Sequence, residues 1–210
     1  MVVALIGAPA AAISLGQIDD FQLGTLEGWS GGAAPTSVAT GGPAGSGDHY
    51  LAIRAVSSNL GATNVLQWSG DYASAGVTAL RFDLNNQGPD PVALRISLFG
   101  PAASAFTTIH EAVLPAASGW VAVTFALDED SLVRTSGTFT LAQTLASVAK
   151  LLIRHDPDPL SPPGEHNFVS ATLGIDNVAA VPEPAAGPLF AVGLAALAHA
   201  LRRRRIARRP

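Results

Sequence analysis

Apolar and polar residues alternate along the middle of the chain, and this alternation predicts β-strands. Between residues 92 and 98 every second residue is Val, Leu or Ile, and the same period of two recurs over 77–84 and 121–127. A strand with this pattern buries one face against a core. Further strands are predicted at 50–56, 63–68, 148–155 and 168–178.

One segment departs from this alternation. Thr140–Ser147 places Leu141 and Leu145 four residues apart, which predicts a short helix. The chain also holds 21 Gly and 15 Pro, enough for many turns. Eight to ten strands with one short helix predict an all-β fold, a two-sheet antiparallel β-sandwich of the jelly-roll type over 18–180. The Gly-rich stretch 31–47 is predicted to be a mobile loop.

The two ends differ from this domain. Residues 1–14 are apolar and small, like the second half of a signal peptide, but no Lys or Arg precedes Arg54. This stretch is therefore either a partial signal peptide or a first strand. The other end, 188–210, predicts a single transmembrane-type helix followed by an Arg-rich tail.

The C-terminal helix is short for a membrane span. Started at Ala185 and ended at Leu201, it covers roughly 26 Å, against about 30 Å for a bilayer core. Six arginines occupy the last nine positions. Such a cluster stays on the cytoplasmic side, so the domain is predicted to lie on the opposite side of the membrane. This segment has two other interpretations. One is a core helix with a basic end, and the other is a plain tail anchor.

This tail resembles the C-terminal sorting signal of the PEP-CTERM family of exported bacterial proteins. The three parts are Pro182, Glu183 and Pro184 in the linker 181–187, the apolar helix, and the basic cluster. The cluster that sets topology is Arg202, Arg203, Arg204 and Arg205. The resemblance implies that an exosortase, which is a membrane transpeptidase, recognises Pro-Glu-Pro. It also implies that the protein passes through an inner-membrane intermediate and then reaches the cell surface or extracellular matrix of a Gram-negative bacterium.

Charge and composition narrow the function of the domain. Without the tail the chain carries six basic and 15 acidic residues, a net charge of −9. Such a domain repels nucleic acid and favours divalent cations. The absence of cysteine excludes disulfides and a Cys nucleophile.

Four short motifs follow one another through the domain. They are Ile18-Asp19-Asp20-Phe21 with Gly28-Trp29, Gly47-Asp48-His49-Tyr50-Leu51, Gly119-Trp120-Val121, and Leu173-Gly174-Ile175-Asp176-Asn177-Val178. This order is similar to the jelly-roll, carbohydrate-binding-module-like domains of bacterial glycosidases and surface proteins. The resemblance implies a calcium ion held by Asp19 or Asp20 with Asp48 and Asp176. The alternative is that these carboxylates cap turns and bond local backbone.

Three further groups of residues are candidate sites. Trp68 and Tyr72 are predicted to be an exposed aromatic pair that stacks on sugar rings, whereas Trp29 and Trp120 are predicted to pack. The loop 155–166 holds two His, two Asp and one Glu, but its spacing matches no zinc pattern, which favours a solvated loop. The acidic run 128–130 is predicted to be a solvated turn.

No enzyme motif is present. The chain lacks a Gly-x-Ser-x-Gly elbow, a phosphate-binding loop and a His-Glu-x-x-His helix. The sequence therefore predicts an exported, non-enzymatic surface or matrix protein associated with exopolysaccharide. A stand-alone carbohydrate-binding module is the alternative, and a glycan hydrolase is a third hypothesis.

Overall fold

A computed structural model describes residues 12–160 and 167–182. Within these residues the chain forms thirteen strands and two short helices. The strands are β1 (Ile18–Asp19), β2 (Trp29–Ser30), β3 (Thr36–Val38), β4 (Tyr50–Asn59), β5 (Gly61–Asn64), β6 (Ala79–Asn86), β7 (Val92–Phe99), β8 (Ala105–Thr108), β9 (Ala112–Leu114), β10 (Trp120–Ala126), β11 (Leu132–Ser136), β12 (Lys150–His155) and β13 (Phe168–Val181). The helices are α1 (Tyr72–Ala75) and α2 (Leu141–Leu145).

The strands form two antiparallel sheets, which confirms the predicted β-sandwich. The first sheet has the order β10-β6-β13-β4-β3, with β1 beside the second half of β13. The second sheet has the order β11-β8-β7-β12-β5-β2, with β9 paired to β7. Because β6, β4 and β1 all pair with β13, the last strand is the centre of the first sheet.

The core lies between the sheets and follows from the alternation in the sequence. Leu80, Phe82 and Leu84 point inward from the first sheet, while Leu94 and Ile96 face them from the second. The intervening residues of each strand point outward. At Asn177, which has a φ of 47°, β13 carries a bulge that shifts this alternation by one residue, so that Ile175 and Val178 both enter the core.

The predicted long strands and the helix predicted over 140–147 are confirmed, with shifted ends, whereas α1 and several short strands were not predicted. The strand predicted over 63–68 stops at Asn64 because the Asn64 side-chain oxygen accepts the Leu66 N–H, at 2.9 Å, and starts a turn. Helix α2 begins with a capping box between Thr140 and Gln143. The stretch 31–47 was predicted to be a loop throughout, but it contains β3.

The terminal predictions fall mostly outside the described residues. Ile13 packs in the core and its N–H bonds to the Ser69 carbonyl, so the domain begins within the stretch predicted as a signal peptide. Pro182 directly follows β13. Glu183, Pro184, the apolar helix and Arg202–Arg205 lie outside the described part. No helix within that part is long and apolar enough to span a membrane.

Candidate functional site

Asp19 is a core anchor. Its carboxylate is buried on β1, and one oxygen accepts the indole N–H groups of Trp29 and Trp68 at 2.7 and 2.6 Å. The Gln67 side-chain amide also donates to it. Burial raises the pKa of Asp19 and these donors oppose the rise. Since Asp19 already satisfies two buried indoles, it has a structural role here.

The prediction that Trp68 and Tyr72 form an exposed pair is wrong. Both side chains are fully buried. The Trp68 indole turns inward to reach Asp19, and Asp71 caps α1 by accepting the Ser74 N–H, which directs Tyr72 into the core. The Tyr72 hydroxyl donates to the Trp68 carbonyl at 2.9 Å. Neither ring can stack on a sugar, whereas Trp29 packs in the core as predicted.

Two of the predicted calcium ligands converge beside Gly42. A methyl group added to Gly42 would lie 2.5 Å from Asp48 Oδ2 and 3.1 Å from Asp176 Oδ2. Asp48 accepts the Ala44 N–H and the Gln22 amide, both at 2.6 Å. Asp176 is fully buried, and its Oδ2 has no hydrogen-bond partner. A buried carboxylate oxygen without a partner is costly unless a proton or a cation satisfies it.

The charges around Asp176 act in the same direction. Burial raises the pKa of Asp176 to about 7, and the carboxylates of Asp48, Asp83 and Asp20 add to the rise. Sequence reasoning missed Asp83, which faces Asp176 across β6 and β13 and is paired with Arg81 at 2.9 Å. The alternation could have identified Asp83, because it predicts that Asp83 points outward from β6, and the outward residues of neighbouring strands lie side by side on the face of the sheet.

The carboxylates of Asp48, Asp83 and Asp176 do not by themselves form a complete metal-binding site. Within 12–160 and 167–182 no three His, Cys, Asp or Glu side chains are arranged to hold a metal ion. A calcium ion beside Gly42 would therefore need backbone carbonyls and water in addition to Asp48 and Asp176. Asp19 is turned away from this point by its two indole bonds.

The second sheet carries an open cleft on its outer side, which we call the β5–β12 cleft. Its volume is about 170 Å³. It runs over β5 and β12 and is bounded by the segment that follows β2. The lining residues are Gly31, Gly32, Ala33, Asn59, Leu60, Gly61, Thr63, Leu152, Arg154, His155 and Asn167. Glycines at one wall and hydroxyl, amide and imidazole groups at the other leave room for a polar ligand.

A buried ionic network fixes the end of this cleft. Arg154 forms an ion pair with Asp156, and the Asn167 amide donates to the same carboxylate at 2.8 Å. Asp156 is fully buried, so the prediction of a solvated loop is wrong for it. Arg95 pairs with Glu111 at 2.6 Å and donates to the Asp156 carbonyl. The network accounts for the charges of Arg154 and Asp156 at this end of the loop.

His155 and the acidic run 128–130 are two further groups singled out by the sequence. His155 Nδ1 accepts the Ala93 N–H at 3.0 Å, and burial lowers the pKa of His155. Glu165 and His166 lie outside the described residues. The run 128–130 is exposed and turned, as predicted.

Trp120 lies on the outer face of the first sheet and packs there, as predicted. Its ring meets Tyr50 edge-on, with centroids 5.2 Å apart, and its N–H donates to the Gly41 carbonyl at 2.9 Å. The ring covers Gly174, where an added methyl group would lie 2.9 Å from it.

Comparison with known proteins gives the fold. No family model matches the chain, and no curated protein matches it. Among solved structures, an exo-β-agarase has a TM-score of 0.56 at 14% identity, over 81% of this chain and 26% of that one. A second agarase has a TM-score of 0.54 at 15% identity, over 83% and 25%.

A carbohydrate-binding module is matched over almost its whole length. The family 11 module from Clostridium thermocellum, in complex with a β-1,3-1,4-mixed-linked tetrasaccharide, has a TM-score of 0.50 at 15% identity, over 80% of this chain and 97% of the module. The chain thus spans about a quarter of the agarases and nearly all of the module. The described domain is a two-sheet antiparallel jelly roll with little helix, and its fold is that of carbohydrate-binding modules.

Proposed function

We propose that the domain is a non-catalytic carbohydrate-binding module that recognises polysaccharide through the β5–β12 cleft. The observation that carries the proposal is an open cleft lined by hydrogen-bonding side chains on a fold shared with a sugar-binding module. Sugar recognition needs several polar groups around a shallow apolar surface. The cleft offers these, and its Gly31 and Gly32 wall keeps it open.

Each lining residue has a definite part in this proposal. Leu152 points outward from the middle of β12 and supplies the apolar surface for a pyranose ring. Asn59 and Thr63 offer donors and acceptors to hydroxyl groups at one side. Arg154 and Asn167 are held by Asp156 and form a fixed polar end. A rigid polar end lowers the entropy cost of binding.

The test is to block the cleft with a bulky residue. Thr63→Arg fills the cleft, and Thr138→Arg places the same side chain on an exposed segment after β11, at the opposite edge of the second sheet. Affinity electrophoresis in agarose, mixed-linked β-glucan and xylan should retard the wild type in at least one gel. We expect Thr63→Arg to abolish the retardation and Thr138→Arg to preserve it. Equal retardation of both variants, or no retardation of the wild type in any of the three gels, would refute polysaccharide binding through the cleft.

We further propose that the domain does not hydrolyse the glycan that it binds. The support is the lack of a catalytic motif and the match to only a quarter of each agarase. Reducing ends should not accumulate when the full chain is incubated with the polysaccharide that retards it. Their accumulation would favour the glycan hydrolase hypothesis.

Calcium binding beside Gly42 is a second proposal, with Asp48 and Asp176 as the carboxylates and backbone carbonyls and water as the other ligands. The unpartnered buried oxygen of Asp176 supports it. A bound Ca²⁺ stabilises the folded state by mass action. We expect calcium to raise the melting temperature at neutral pH and EDTA to reverse the rise. Asp176→Asn should remove the response, whereas Asp130→Asn, at an exposed acid, should keep it.

For the termini we propose that the chain is exported and sorted at the inner membrane by an exosortase. The support is the sequence resemblance around Pro182, Glu183 and Pro184 and the arginine cluster. In a host with an exosortase, the mature protein should lose its tail and reach the cell surface or matrix. Glu183→Ala should leave the tail attached, which intact-protein mass spectrometry would detect. An unchanged mass for both proteins would refute sorting.

A further inference from the structure

One sheet edge is open and carries no charge. Strand β10 is the outer strand of the first sheet and pairs only with β6 among the described strands. Its sequence is Trp-Val-Ala-Val-Thr-Phe-Ala, seven residues without a charged side chain or a proline. Val121, Ala122 and Thr124 are exposed. Such a strand presents a row of unpaired N–H and C=O groups to solvent.

The other edge strands of the two sheets are protected. Strands β3 and β9 have three residues each, and β1 and β2 have two each. Strand β11 has five residues, carries Arg134 and is interrupted by a register shift between Arg134 and Ser136. Short length, charge and bulges are the usual means by which proteins block edge-to-edge pairing. Strand β10 has none of them.

We infer that β10 pairs with β10 of a second copy of this chain, in antiparallel orientation and centred on Val123. The strand is self-complementary in this register. Val121 lies opposite Phe125, and Trp120 lies opposite Ala126, so that large and small side chains alternate across the twofold axis. An aromatic residue opposite a β-branched one is a favourable cross-strand pair. A twofold axis makes the contact closed and dimeric.

The charges next to the strand favour this orientation. The exposed acids Asp128, Glu129 and Asp130 follow β10 directly. Antiparallel pairing centred on Val123 puts the two acidic runs about 34 Å apart, at about 3.4 Å per residue. Parallel pairing would put them about 5 Å apart, where like charges repel. The acids thus oppose parallel stacking and permit a twofold dimer.

The test uses full-length protein and opposite charges. Sedimentation velocity over a concentration series should show the wild type passing from monomer to dimer. A plus variant carries Ala122→Lys with Thr124→Lys, and a minus variant carries Ala122→Glu with Thr124→Glu. In the proposed register residue 122 of one copy faces residue 124 of the other. Each variant alone should therefore be monomeric, and an equal mixture should restore the dimer.

A control variant at the opposite edge of the sheet separates pairing through β10 from dimerisation through another surface. Thr36→Lys, on β3 at the opposite edge, should dimerise like the wild type. Dimers that persist in both charged variants would come from another surface, the C-terminal segment included, and would overturn the inference. So would a wild type that is monomeric at its solubility limit, or a mixture of folded variants without heterodimer. Circular dichroism checks folding, and the single Thr124→Lys and Thr124→Glu variants serve if a double variant is unfolded.

Discussion

At the scale of single residues, Asp19 has a large structural consequence. One carboxylate oxygen ties together two tryptophans from separate parts of the chain. Loss of that acceptor leaves two buried indole N–H groups without partners, and each such group costs about 1–3 kcal/mol. The pair of bonds thus fixes how the opening strand packs against the segment after β5.

We predict that Asp19→Ala lowers the free energy of unfolding by roughly 2–6 kcal/mol, measured by urea denaturation. Asp19→Asn keeps one acceptor oxygen and should cost less. The control is Asp20→Ala, since Asp20 is half-buried and its side chain accepts the N–H of nearby Gln22. A loss as large for Asp20→Ala as for Asp19→Ala would contradict the assignment.

Asp176 predicts the direction of a pH effect. The folded state holds a proton on this group with a pKa of about 7, against an ordinary value of 3.8. A raised pKa means that the folded state binds the proton more tightly than the unfolded state, so the stabilisation is complete below about pH 4 and is lost as the pH rises through about 7. Glu27, whose pKa burial raises from 4.5 to about 7, acts in the same direction.

We therefore predict that in EDTA the melting temperature falls between pH 5 and pH 7.5, and that Asp176→Asn makes this fall smaller. Differential scanning calorimetry at several pH values measures both. The groups that face Asp176 are Asp20, Asp48 and Asp83, with Arg81 beyond Asp83. If the melting temperatures of the wild type and of Asp176→Asn fall equally with pH, Asp176 is ionised over the whole range from pH 5 to pH 7.5.

Sequence reasoning located the acidic residues but not their roles. It grouped Asp19 or Asp20 with Asp48 and Asp176, because the resemblance to carbohydrate-binding-module-like domains implies a calcium ion at these positions. The structure separates Asp19, since two indole donors occupy its oxygen. It also buries Trp68 and Tyr72. Exposure of an aromatic ring depends on which way a turn directs it, and a turn of four residues has no periodicity that shows this.

At the scale of elements, the long strands were predictable and the short ones were not. β6, β7, β10 and β13 each carry enough alternating residues to show a period of two. Strands β1 and β2, with two residues each, have no period, and long-range pairing alone creates them. The β5–β12 cleft depends on this pairing, because β2 beside β5 brings Gly31 and Gly32 next to β12.

Close packing of a turn on β13 gives an element-scale prediction. Gly88 follows β6, and a methyl group there would lie 2.4 Å from the Ala171 Cα and 2.7 Å from the Thr172 nitrogen. Both contacts are with backbone, which cannot move aside. We predict that Gly88→Ala destabilises the domain by about 3 kcal/mol in urea denaturation. Gly32→Ala, with no atom within 4 Å, should change stability by less than about 0.5 kcal/mol.

At the scale of the whole molecule, the described strands end at Val181. We predict that a chain ending at Pro182 melts at the temperature of the full chain, since it keeps every described strand. A chain ending at residue 167 lacks β13 and should be unfolded by circular dichroism. Folding of the shorter chain would contradict the central position of β13.

That central position also decides when the domain can fold. The ribosome makes β4 and β6 long before it makes β13, and without β13 these two strands have no shared partner in their sheet. Most native contacts of the sheet therefore wait for the last strand, and pairings this distant in sequence form slowly. Until synthesis reaches residue 181 the first sheet therefore lacks its central strand, a kinetic property that is built into the strand order.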